Sequence, residues 1–337
     1  MRLLGWLLAG WLLALAAATA QTRHAPAAAT PGPVEDRRLG EWLLRMHDAS
    51  RRRAYVGTFV VSVGSSMSSA RIWHVCDGEQ QMERVETLTG PPRSTFRRND
   101  RVLTFFPDSR VVVAERRESF GLFPNLLQSG DAPVARFYSL RPAGHERIAG
   151  FETDVVQLRP RDKLRFAYQI WTEKKSGLVV KLQTLDVEGQ VLEQAAFSEL
   201  QLDAPVSMAR LSQMMGNTDG YQIETPDMVK TTAAAEGWAL KSPVPGFQPM
   251  SCYRRPGASV ADGRHDSTLQ WIFSDGLATV SLFLEDFDPR RHAQPGAQAL
   301  GATHTLTRRL GDWWLTAVGE VPQQTLLAFA QALERRK

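Results

Sequence analysis

Cysteine is almost missing from this chain: Cys76 and Cys252 are the two among 337 residues. That excludes a multi-disulfide scaffold, and neither has a companion at Cys-x-x-Cys spacing to form a zinc or redox motif. An even count permits one Cys76–Cys252 disulfide, but two separately buried thiols are the expectation. Nucleotide fingerprints are missing too. There is no G-x-x-x-x-G-K-[ST] loop and no G-x-G-x-x-G turn.

The seven histidines are scattered, with no His-x-x-x-His pair and no His-Glu-x-x-His helix. His74, beside Trp73, is expected to be a packed core histidine. Gly64-Ser65-Ser66-Met67 lacks the second glycine of a nucleophile elbow and reads as a hairpin tip. The densest carboxylates, Glu285-Asp286-Phe287-Asp288, lack the glycine and ligand spacing of a calcium loop. No catalytic residue, metal or cofactor is expected, so the chain reads as a binding protein, not an enzyme. Charge is nearly balanced, 40 basic against 36 acidic side chains. Arg51-Arg52-Arg53 and Arg97-Arg98 are expected as solvated faces, and nucleic acid is not an expected partner.

One long hydrophobic run is present, at the N-terminus. Arg2, the apolar stretch Leu3–Ala18 and the small-residue exit Ala18-Thr19-Ala20 have the layout of a secretory signal peptide over 1–20. The mature chain is expected to begin at Gln21 and to work outside the cytoplasm. Residues 21–35 are rich in Ala, Pro and Thr and read as a flexible leader.

A helix follows, with Leu39, Trp42, Leu43 and Met46 on one stripe. At Tyr55 the hydrophobic period changes to two. Strands are expected at Tyr55–Val63, Ala70–Cys76, Gln81–Leu88, Arg101–Phe106, Arg110–Glu115, Asp154–Leu158, Phe166–Trp171, Leu178–Asp186 and Val191–Phe197. Leu122–Gln128 is expected as a short helix. The class is α+β: a large twisted antiparallel sheet with covering helices over 36–203. Turn residues make 204–228 a linker, containing a short Ser207–Met215 helix with exposed methionines. A smaller α+β domain spans 229–337. It has strands near Thr268–Phe273, Thr279–Glu285, Thr303–Arg308 and Trp313–Val318. A closing helix starts at Pro322, and Glu334–Lys337 trail into water.

Two sets of side chains stand out as binding candidates. Phe59, Val61, Trp73, Phe105, Tyr168 and Ile170 would line a concave sheet and form an apolar groove for an acyl chain; packing beneath the covering helix is the competing expectation. Trp271, Phe273, Asp275, Gly276 and Leu277 put aromatics beside a tight turn, the usual layout of a partner-binding anchor, against the alternative of sheet core.

The segment Arg147–Phe197 resembles the periplasmic sigma-E regulator family (RseB/MucB). So do Gly90-Pro91-Pro92-Arg93, Arg161-Asp162 with Tyr168–Trp171, Leu192-Glu193-Gln194, Ser274-Asp275-Gly276-Leu277, and Gly319-Glu320-Val321-Pro322 with Thr325. The resemblance implies an N-terminal domain similar to LolA and LolB, an unclosed barrel with a hydrophobic cavity. It also implies a C-terminal domain that grips the periplasmic segment of a membrane anti-sigma factor and shields it from a DegS-type protease. Lipopolysaccharide-like ligands would release it, and a homo-oligomer is compatible with the same reading. The alternative is a periplasmic lipid or lipoprotein carrier using the same cavity.

Overall fold

The computed structural model describes residues 33–336 except 79, 117–133, 227, 257–266 and 293. The signal peptide, most of the leader and the Leu122–Gln128 helix lie outside the described residues. Helix α1 (Pro33–Arg52) already begins within the expected leader. Leu39, Leu43 and Met46 of its apolar stripe are buried, and Arg51 and Arg52 sit at the negative pole of its dipole.

Six strands follow: β1 (Tyr55–Val63), β2 (Ser66–Cys76), β3 (Gln81–Thr87), β4 (Ser94–Arg98), β5 (Arg101–Phe106) and β6 (Val111–Arg116). One helical turn, α2 (Val134–Phe137), leads to β7 (Tyr138–Ile148), β8 (Phe151–Pro160), β9 (Ala167–Glu173), β10 (Val179–Leu185) and β11 (Val191–Leu202). Helix α3 (Met208–Gly216) and β12 (Gln222–Glu224) come next. The twelve strands form one sheet in the order β12-β6-β5-β4-β3-β2-β1-β11-β10-β9-β8-β7. β1 pairs with both β2 and β11 and so joins two meanders. The end strands β12 and β7 do not pair with each other, so the sheet is unclosed.

The segment expected as a linker is built onto this sheet. Ser207 caps α3 by accepting the Arg210 amide at 3.2 Å, and β12 runs parallel to β6. The α3 methionines are not exposed. Met215 is buried, and Met208 and Met214 pack on the cluster of Val75, Met82, Phe96 and Leu103. The apolar outer surface of β3–β6 requires a cover, and α3 supplies it.

The second sheet is made by β13 (Val229–Lys230), then, beyond β14 (Trp238–Leu240), by β15 (Gln248–Pro256), β16 (Ser267–Ser274), β17 (Thr279–Asp286), β18 (Gly296–Leu300), β19 (Thr303–Leu310) and β20 (Trp313–Gly319). Its order is β13-β15-β16-β17-β20-β19-β18. Helix α4 (Gln323–Ala332) covers one face, burying Leu326 and Phe329 against Phe273, Val280, Leu282 and Leu315. Pro322 is its N-cap. The chain does not leave the fold at Glu334: β21 (Leu333–Arg335) pairs with β14, although the Arg335 and Arg336 side chains are exposed as expected. The Arg335 guanidinium lies 5.3 Å from the Trp238 ring centroid and 4.8 Å from that of Trp313. Buried Trp238 and half-buried Trp313 leave an aromatic surface that a cation covers well.

Both cysteines are free thiols. Cys252 is buried in the second core, where burial pushes its thiol up to about 11. Cys76 is only partly buried, against the expectation for it, and donates to the Arg52 carbonyl at 3.0 Å.

Candidate binding surfaces and the joint between the sheets

Cross-strand register sorts the six groove candidates. Val61, Ala195, Leu182, Ile170 and Val156 stand opposite one another across β1, β11, β10, β9 and β8. The adjacent row is Val63, Glu193, Thr184, Tyr168 and Leu158. Because side chains alternate along a strand, Phe59, Val61, Tyr168 and Ile170 share one face. That face carries α1, whose Leu39, Leu43 and Met46 meet Tyr168, Ile170 and Leu158. Tyr168 and Ile170 are therefore core, while Phe59 and Val61 are half-buried on the same face, Phe59 against the cluster of Ala49, Tyr55 and Phe197. Trp73 and Phe105 lie on the opposite face, in the cluster under α3. The sequence pattern does not reveal this split, because both faces of the large sheet are apolar.

The turn after β16 is not a free surface. Phe273 and Asp275 are 2% and 1% exposed, Gly276 is buried, and Trp271 and Leu277 are half-buried. Asp275 is tied into its own turn, its Oδ1 accepting the amides of Leu277 at 2.9 Å and Ala278 at 2.8 Å. Its other oxygen, Oδ2, accepts from Arg165 Nε at 2.7 Å and from the Tyr138 hydroxyl at 3.2 Å. Both side chains come from the first domain. Leu277 packs on the α1 cluster, so this turn plugs one end of the α1-covered face.

Arg165 is the centre of the joint. It is fully buried, and its remaining nitrogens donate to Asp162 and to the Pro245 carbonyl. Its guanidinium lies 4.3 Å from the Phe137 ring and 4.9 Å from the Phe247 ring, one from each domain. A charge taken from water is tolerable only with this degree of pairing. Gly246 makes room for it. Its φ is +83°, and a Cβ there would fall 2.0 Å from Arg165 Nη2.

Further contacts surround the ion pair. Thr325 at the start of α4 donates to the Leu164 carbonyl at 2.8 Å. Gly301, between β18 and β19, approaches so closely that a Cβ would meet Val63 at 2.4 Å. Nearby, Glu193 of the first domain and Glu320 of the second face each other's fields. Burial and the Glu193 charge push Glu320 up to about 7, and burial raises Glu193 although the Ala302 amide opposes it. Tyr138 and Tyr168 are pushed well above the usual phenol range, by burial first and then by Asp275.

The other singled-out residues have structural partners. His74 is buried, stacks on Tyr55 at 4.8 Å and reaches the Arg53 carbonyl at 2.8 Å. In the 285–288 carboxylate segment, Glu285 pairs with His292 at 3.2 Å and Asp288 with Arg290 at 3.2 Å. Among the described residues no cluster of His, Cys, Asp and Glu is placed to hold a metal, and no helix is long and apolar enough to cross a membrane.

An unclosed helix-covered sheet bolted through a buried ion pair to a smaller sheet domain defines a two-domain α+β protein. The chain belongs to the MucB/RseB family: the family's N-terminal domain model matches residues 38–215 and its C-terminal domain model residues 232–334. It is 28% identical over 295 residues to the sigma factor AlgU regulatory protein MucB of Pseudomonas aeruginosa, covering 85% of this chain and 87% of that one. It is 24% identical over 310 residues to the sigma-E factor regulatory protein RseB of Escherichia coli, covering 92% and 93%. The structure of MucB in complex with MucA(peri) aligns with a TM-score of 0.68 at 26% identity, over 88% of this chain and 98% of that one. A Pseudomonas aeruginosa MucA/MucB complex aligns at 0.69 and 25% identity, over 88% and 99%.

Proposed function

We propose that this chain is a periplasmic negative regulator of an envelope-stress sigma factor. It binds the periplasmic segment of a membrane anti-sigma factor and denies a protease access to it. An acyl-chain signal of the lipopolysaccharide type releases it. The observation that carries the reading is the match of both domains, in order and along nearly the whole chain, to MucB, a protein solved in complex with MucA(peri). The buried joint supports it. A ligand on the first domain alters partner binding on the second when the two are energetically coupled, and a packed, hydrogen-bonded joint can carry that coupling.

The half-buried apolar stretch with Phe59, Val61 and Leu182 offers the acyl chain a place beside α1. The same stretch supports the second reading, a lipid or lipoprotein carrier. Calorimetric titration of the mature chain with the anti-sigma factor's periplasmic segment tests the first. Binding is expected, and it should weaken when lipopolysaccharide is present. A folded sample that fails to bind the segment, yet yields acyl chains on solvent extraction, would put the carrier first.

A further inference from the structure

Four of the chain's nine methionines meet at one contact. Met208, Met214 and Met215 belong to α3, and Met82 of β3 lies beneath the helix. Together with Leu211, the three α3 methionines make up its apolar stripe, so three of the four side chains in it are thioethers. Leucine forms helices equally well and loses less side-chain freedom on packing, so filling this contact does not require sulfur. The Ser212 hydroxyl donates to the Met82 sulfur at 3.9 Å, which sets α3 directly over it.

The four side chains differ in access. Met82 and Met215 are buried, whereas Met208 and Met214 are half-buried. A two-electron oxidant of the peroxide class therefore reaches Met208 and Met214 first. One oxygen passes to the thioether: an S–O bond forms, the O–O bond breaks and water leaves, so sulfur is oxidised and peroxide reduced. The sulfoxide brings a strong acceptor oxygen into a contact where the side chains of Val75, Phe96 and Leu103 offer no donor. The segment after α3 adds little to the hold. β12 contributes three residues with exposed side chains, and Tyr221 one ring contact with Phe105 at 5.3 Å.

We propose that α3 is a latch held by methionine, and that peroxide-class oxidants open it by converting Met208 and Met214 to sulfoxides. Its loosening uncovers Met82 and Met215, which are oxidised next. The chain crosses to the second sheet directly after the latch, β12 ending at Glu224 and β13 starting at Val229. Opening thus frees the connecting segment and leaves the Arg165 joint in place.

Neither step needs the protein partner, so the test uses the full mature chain alone. It is treated with dilute hydrogen peroxide, and sulfoxides are mapped by peptide mass spectrometry. Trypsin reads the latch, because Arg210 lies within α3 and is cut only when the helix opens locally. Exposed Met67 and Met250 should oxidise early without changing that cut. Sulfoxides at Met208 and Met214 should then raise cleavage after Arg210 about tenfold, the scale of one unmatched buried polar group. Oxidation of Met82 and Met215 should follow. Met208→Leu combined with Met214→Leu should abolish the rise, while Met67→Leu with Met250→Leu should leave it intact. The proposal is overturned if Met208 and Met214 oxidise no faster than Met46, which is sealed in the α1 cluster. It is equally overturned if their sulfoxides leave Arg210 resistant, or if the double leucine variant still gains the cut. Should that variant fail to fold, the order of events in the wild type decides.

Discussion

Arg165 shows how one residue holds two domains. Its charge is wholly withdrawn from water and is matched by Asp275, Asp162 and the Pro245 carbonyl between two aromatic rings. Such a pair adds little net stability over an apolar substitute, but removing one half leaves the other as an uncompensated buried charge. Arg165→Met should therefore cost about 3–5 kcal/mol in urea unfolding of the full chain. Adding Asp275→Asn should recover part of that loss, since asparagine removes the charge yet keeps an oxygen for the Leu277 and Ala278 amides. A single-variant loss below about 1 kcal/mol, the range of exposed pairs, would show that the joint does not depend on this ion pair. Nothing in the sequence marks Arg165 out. Arginines are rarely buried, and its partner lies 110 residues away.

At the scale of elements, legibility follows burial. β1, β5, β9 and β10 lie inside the large sheet and carry the apolar spacing that identifies them. β7, β12 and β18 are edge strands or short ones, and their side chains are mostly exposed. With no hydrophobic alternation required of them, they leave no periodic signal. β4 is internal, but Ser94–Arg98 buries only Phe96. The turn of Ser274–Leu277 was legible as a turn, and its destination was not. Aromatics beside a tight turn look the same whether they await a partner or already pack on another domain.

The chain end is a similar case. Glu334-Arg335-Arg336 reads as a solvated tail because charge alone is visible, whereas the backbone of β21 and the Arg335 cation complete the β14 edge. Truncation after Ala332 should therefore expose Trp238, now 3% exposed, and destabilise the second domain. The check is a red shift of tryptophan emission together with a lower thermal midpoint. A truncated chain with unchanged emission would mean that β21 is dispensable.

For the whole molecule, the joint is where conditions outside the protein enter its energetics. Glu193 and Glu320 approach from different domains, and both hold their protons more tightly folded than unfolded. Glu320 is solvent-exposed, yet protein is dense enough around its carboxyl, with Glu193 close by, to disfavour its charge. An acid with a raised folded-state value contributes its stability in full below the unfolded value near 4.5. That contribution declines as pH rises towards about 7, where Glu320 ionises in the folded chain. This slope opposes ordinary acid denaturation, in which stability is lost as pH falls. Glu320→Gln removes the charge and should flatten the decline, so that the variant gains on wild type between pH 5 and pH 7.5 in paired urea titrations. Equal pH slopes for the two proteins would mean that the carboxyls are solvated in solution. A flatter slope for the variant would mean that the docking of the two domains tightens as the surroundings become acidic.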